Sequence, residues 1–306
     1  MQRKLPYKKR AKTSNNQDNQ QTLTHALTID ALSLTIRSGM AVVSPLCTPR
    51  SDCYILKLLR NHMKKATHLD EMLSKWSFDP QTLGVRLAKG KDGRDVLQMR
   101  VDMGILQLET TGRPDGEAYE GHESVLEFLQ QTQLIEPEHV LTDQQCMDID
   151  REFMQFYHRR ISWLRLQFYN RAVMDADHTL RLMDVAETMS EDEEWIGSHE
   201  QYRPFVLFHR TQAEALGQLE EASAEEAIQA INSGLNAMRA FFEKHEAEDH
   251  FDEDELVVRL VDLRESLRNE YSVGKTLKEQ LADAVEREQY ELAAQLRDEL
   301  SRRDMK

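Results

Sequence analysis

Apolar and polar positions alternate along the chain from about residue 84 to residue 109. Val85 and Leu87 alternate with Arg86 and Ala88, and Leu97, Met99 and Val101 alternate with Gln98, Arg100 and Asp102. Ile105, Leu106 and Leu108 follow after Met103-Gly104. A period of two is that of a strand whose successive side chains point to opposite faces. Lys91-Asp92-Gly93 supplies turn chemistry, and Gly112-Arg113-Pro114-Asp115-Gly116 closes the run. The pattern predicts a small antiparallel meander with one wet face. Gly, Pro and Asp in the closing loop serve backbone geometry more readily than chemistry.

From about residue 142 the period changes to that of a helix. Three Ser/Thr-x-x-Glu/Gln capping boxes mark helix starts: Thr142 with Gln145, Ser223 with Glu226, and Thr276 with Glu279. No proline lies between Pro137 and Pro204, or after Pro204. The fold class is therefore mainly α with a small antiparallel β segment and a body of helical hairpins. The run FMQFYHRRISWLRLQFYNRAVMDADHTLRLM resembles a tetratricopeptide hairpin, with Tyr169, Ala172, Ala176 and Leu180 spaced to admit a neighbouring helix. A second unit, AEALGQLEEASAEEAIQAINSGLNAM, carries Leu216-Gly217 and then Ala227, Ile231 and Gly234. The closing prolines of such repeats are missing, and the acidic insert SEDEEWIGSHEQ separates the units. An ordinary helical bundle accounts for the pattern equally well. Phe153, Phe156, Tyr157, Trp163 and Phe168 are expected in the core; Arg159, Arg160 and Arg165 are expected on a solvated face.

The last 35 residues predict a helical hairpin. Thr276 caps a helix with the apolar stripe Leu277, Leu281, Ala284 and Val285. The chain turns at Glu288-Gln289-Tyr290, and a second helix carries Leu292, Ala293, Leu296 and Leu300. Facing stripes make an antiparallel pair held mainly by Leu281, Val285, Leu296 and Leu300. Ala293 and Ala294 let the backbones approach, and Tyr290 sits at the tip. The ordered series YExAAxLRDxL, with Leu281, Ala284 and Glu288 before it, resembles the UVR motif. That motif is the hairpin shared by excinuclease subunits B and C and by some protease-associated proteins. Gln289 departs from it where the family often has Asp, a better helix cap. The whole chain resembles a UVR-motif protein of bacteria with the hairpin as a tail. The resemblance implies a hairpin that joins protein to protein through Leu281, Tyr290, Ala293, Ala294 and Arg297. It does not carry over excision activity, and the paired cysteines of the protease-adaptor relatives are absent from the sequence.

Charge divides the chain. Residues 1–62 hold ten Lys or Arg against three Asp and no Glu, a net of +7, while the remainder carries −22. Three explanations for this extension compete: a disordered basic arm, a targeting peptide, or a true start at Met63. The expected organisation is an extension over 1–62, an α+β segment over 63–135, a helical body over 142–250, and C-terminal helices over 251–306 that include the hairpin at 272–303. An overall formal charge of −15 disfavours nucleic-acid binding by the acidic body. No apolar run is long enough to span a membrane. Three cysteines, Cys47, Cys53 and Cys146, form no CxxC pair, so a reducing cytoplasm is expected.

Catalytic signatures fail on inspection. VGKT at 273–276 has Asn269 where a phosphate-binding loop needs its leading glycine. His245 and His250 are five residues apart and do not share a helical face. No GxSxG elbow or GxGxxG fingerprint is present. The expectation is a cytoplasmic, non-catalytic adaptor without cofactor or metal, which meets a protein partner or its own copy through the hairpin, near excision repair or protein quality control. The alternative is an enzyme or small-ligand protein whose acids, Asp102, Glu109 and Asp115, lie between the β segment and the helices.

Overall fold

The computed structural model describes residues 69–304; the expected basic extension, with Cys47, Cys53 and Met63, lies outside the described residues. The chain divides between Leu83 and Gly84 into two units. In the described part of the first unit lies helix α1 (Leu69–Lys75). The second unit begins with strands β1 (Gly84–Lys89), β2 (Asp95–Val101) and β3 (Gly104–Glu109), an antiparallel meander in sequence order.

The register sets Leu87 opposite Leu97 and Leu97 opposite Leu108. Leu97 and Leu108 pack against Trp163, Leu164, Ala172 and Leu216 of the helical body. The other face is polar but not wet at its centre. Arg86 donates from Nε and Nη2 to Gln98 Oε1 at 2.9 and 2.7 Å, and Gln98 Nε2 donates to Gln107 Oε1 at 3.1 Å. Val96 and Gln98 are buried on that face. The expected wet face is corrected at β2: Gln98, on the middle strand, is covered by the long side chains of Arg86 and Gln107 from its neighbours. Gly93, at φ 87°, takes the left-handed turn position between β1 and β2 that a side chain would strain.

Nine helices follow in the described residues: α2 (Val125–Ile135), α3 (Asp143–Arg165), α4 (Tyr169–Met189), α5 (Glu193–Glu200), α6 (Arg203–Glu221), α7 (Ala224–Lys244), α8 (Glu255–Tyr271), α9 (Leu277–Glu286) and α10 (Tyr290–Asp304). A 3₁₀ turn (Glu248–Glu253) precedes α8. Helix α2 begins upstream of the region where the helical period is evident, and Ser124 caps it by accepting from Glu127 N at 3.0 Å. Thr142 and Thr276 form reciprocal capping boxes, while Ser223 caps α7 with its own hydroxyl.

Short loops make α3/α4 and α6/α7 adjacent hairpins, and α4 also packs on α6. Small residues line these contacts: Ala172, Ala176, Ala227 and Gly234 are all buried. Ala176 packs with Met183 and Val206, beside Phe153 and Leu180. Ala176→Phe is expected to overpack this contact and cost about 1–3 kcal/mol. A melt unchanged from the parent would show that the site has room. Helix α8 buries Val257, Leu260, Leu263 and Leu267, one stripe at helical spacing.

Arg159 and Arg160 are buried, contrary to the solvated face expected for them. They follow Ile149 and Phe156 on the inward side of α3 and precede Trp163. Phe168, expected in the core, is 43% exposed because it lies in the α3–α4 loop. None of the described helices is long and apolar enough to cross a membrane.

Candidate functional site

The C-terminal hairpin is built by local rules. Glu279 N donates to Thr276 Oγ1 at 3.3 Å and Thr276 N donates to Glu279 Oε2 at 2.7 Å, which starts α9. Glu288, at φ 57°, adopts the left-handed conformation and ends α9. Gln289 N then donates to Ala284 O at 2.7 Å, and α10 begins at Tyr290. Leu277, Ala284, Ala293 and Leu296 form the buried seam, with Leu281 and Leu300 half-buried at its margins.

This seam sorts the expected interaction residues. Leu281 and Ala293 belong to the hairpin's own packing. Tyr290, Ala294 and Arg297 are exposed, and their spacing of four and three puts them on one face of α10. Ala294 therefore does not mediate the close helix approach expected of it; Ala293 does. Val285 is also corrected: it is 53% exposed and holds the hairpin together less than Ala284 and Leu277 do. Tyr290 is 68% exposed and Leu292 44%. Arg297 pairs with Asp298, at 2.9 Å, a solvent-exposed pair that contributes little.

Polar ties hold the base of the hairpin to the body. Asn232 Nδ2 of α7 donates to Glu279 Oε1 at 3.0 Å, and Arg268 of α8 pairs with the same oxygen. Thr276 Oγ1 donates to Gln229 Oε1 at 3.2 Å. Burial pushes the Glu279 carboxyl up, but the Thr276 amide, the Asn232 amide and the Arg268 guanidinium together bring it below the usual carboxylate range. The tip of the hairpin has no comparable anchor: Glu288, Gln289 and Tyr290 are all exposed.

The acids of the alternative site do not all converge: Glu109 and Asp115 lie on neighbouring backbone, joined by Glu109 N donating to Pro114 O at 2.8 Å, and Asp102 is remote. Asp102 lies in the β2–β3 turn and Glu109 at the far end of β3, a separation of about 20 Å at roughly 3.3 Å per residue. Glu109 is taken by Arg94 at 2.7 Å, whose guanidinium holds its carboxyl below the ordinary value. Asp115 pairs with Arg113 at 3.1 Å and accepts from Gln155 Nε2 at 2.8 Å. No group of three or more His, Cys, Asp or Glu among the described residues is placed to hold a metal.

Buried polar clusters do lie in this region, and they tie the closing loop to the helices. Glu152 is 0% exposed. It accepts from Val125 N at 2.8 Å and Leu126 N at 3.2 Å, meets His178 Nε2 at 2.8 Å, and lies 3.3 Å from Arg113 Nε. It thus satisfies the first turn of α2 and binds the Gly112–Gly116 loop to the helices. Arg159 holds Asp175 with Nε and Nη2 at 2.9 and 2.7 Å, and donates from Nη1 to Gly112 O at 2.7 Å. Arg160 donates to Thr179 Oγ1 at 3.0 Å and has no carboxylate partner among the described residues. Burial pushes its guanidinium down to about 10 and drives His209 well below the ordinary histidine value. One signal pointed to these residues: Glu152, Phe156, Arg159 and Trp163 recur at spacings of four, three and four, a core-facing stripe that includes charges.

No curated protein and no solved structure matches the chain. Residues 275–302, which span α9 and nearly all of α10, match the UVR family, the UvrB/uvrC motif.

Proposed function

We infer that this chain is a non-catalytic interaction protein of the cytoplasm whose UVR hairpin docks on a protein partner or on a second copy of itself. The observation that carries the reading is the exposed apolar surface of a motif with a small seam of its own. Tyr290, Val285 and Leu292 all stand in solvent on a unit whose own seam is six side chains. A unit of this size gains stability by burying its remaining apolar surface. An aromatic at the tip combines apolar area with a hydroxyl that stays wet, the profile of an interface anchor. The motif ties the reading to excision repair or protein quality control, with the α3/α4 and α6/α7 hairpins as a tetratricopeptide-like scaffold behind it. The acidic body takes no direct part in binding nucleic acid on this reading.

The test is Tyr290→Ala in the full chain. The helices are held by Leu277, Ala284, Ala293 and Leu296, so helicity by circular dichroism stays unchanged. Burying the ring contributes about 1.5–3 kcal/mol, so association weakens about tenfold or more. Sedimentation reads self-association, and affinity capture with and without residues 272–306 reads a partner. If the variant unfolds the hairpin, Tyr290 is part of its core. If the variant stays folded and every association persists, docking lies elsewhere.

A further inference from the structure

Helices α7, α8 and α9, with the 3₁₀ turn before α8, enclose an open cleft of about 440 Å³. That volume lies within the range of small-ligand sites, about 300–1,000 Å³, but its wall is more polar than most. Asn232, Asn236 and Arg239 line it from α7, at spacings of four and three that share one face. Arg264 lines it from α8 and Lys278 from α9.

Arg239 and Lys278 have no ion pair among the described residues. The Arg239 guanidinium lies over the Phe251 ring, Cζ 4.0 Å from the centroid, a cation–π contact that fixes the position of the charge. Arg264 is oriented by Nη1 on Asn232 Oδ1 and Nε on Glu265, both at 3.0 Å. Two acids also line the cleft, Glu279 and Asp252. Glu279 is already engaged by Arg268, Asn232 and the Thr276 amide, which leaves Asp252 as the one opposing charge.

We propose that this cleft binds a small phosphate-bearing ligand, held between Arg239 of the body and Lys278 of the hairpin. Arg264 adds a third cation, and the Asn236 amide hydrogen-bonds to the rest of the molecule. Charge-assisted hydrogen bonds from separate elements give such a site both strength and orientation. The assignment is independent of what the hairpin tip docks on. A ligand held by α7 and α9 together also restrains the base of the hairpin.

The experiment titrates the full chain at low ionic strength with inorganic phosphate, AMP and citrate, followed by calorimetry. Phosphate and AMP are expected to bind saturably. The double variant Arg239→Gln/Lys278→Gln weakens both about tenfold or more, while Arg181→Gln, an exposed cation on α4, changes neither. AMP tighter than phosphate identifies a nucleoside-sized ligand, and equal affinities identify the compact anion alone. Both results uphold the site. If the double variant melts early through loss of the Phe251 contact, Lys278→Gln alone carries the comparison. Three results overturn the proposal: no saturable binding of phosphate or AMP, an equal loss in Arg181→Gln, or citrate binding more tightly than either phosphate probe.

Discussion

Gly234→Ala is expected to destabilise the helical body by about 2 kcal/mol or more, although alanine is the better helix former by up to about 1 kcal/mol. A Cβ at Gly234 would lie 2.0 Å from Thr211 Oγ1, 2.2 Å from its Cγ2 and 2.6 Å from its Cβ. Thr211 is itself buried on α6, so α6 and α7 must part for the methyl to enter. At roughly 2–4 °C per kcal/mol for a unit of this size, the melting temperature falls by about 5 °C or more. Thr211→Ala relieves the clash only in part, because Oγ1 and Cγ2 are removed but Cβ remains at 2.6 Å. Thr211→Gly removes that Cβ too, so the penalty of Gly234→Ala shrinks further in that background. Gly217→Ala is the control: its Cβ would meet the nearest atom, Tyr169 Cβ, at an ordinary 3.4 Å, and the change is near neutral or slightly stabilising. A Gly234→Ala protein that melts with the parent shows that α6 and α7 do not cross this closely.

The second large effect is expected at Glu152. Glu152→Ala removes the buried partner of Arg113 and His178 and strands the Val125 and Leu126 amides. Breaking a buried charge cluster from one side costs about 3–5 kcal/mol, since the remaining charge stays desolvated. Glu152→Gln costs less, because an amide oxygen still accepts and Asp115 still faces Arg113. Replacing both Glu152 and Arg113 by leucine costs less than Glu152→Ala, as the Arg113 guanidinium is no longer left buried without Glu152. Urea unfolding of the four proteins decides. Equal midpoints for Glu152→Ala and the parent would mean that the cluster contributes nothing to stability.

Several features follow from sequence because they are local. The meander is set by alternation and by turn residues such as Gly93, whose backbone demand is met within the turn itself. The capping boxes at Thr142 and Thr276 close within four residues. The hairpin is specified by apolar spacing on two short helices, and its motif is written in consecutive residues. Ala176 and Gly234 were legible as close contacts because small side chains at helical spacing serve little else. Other features needed the tertiary structure. Periodicity places Glu152, Arg159 and Arg160 on the inner stripe of α3, but a charge there is stable only if partners arrive from elsewhere. Those partners are Arg113, His178, Asp175 and Thr179, brought in from the closing loop and α4. The choice between Ala293 and Ala294 is of the same kind. Two helices share one narrow seam, neighbouring residues on a helix differ by about 100° in direction, and only their packing decides which one enters it.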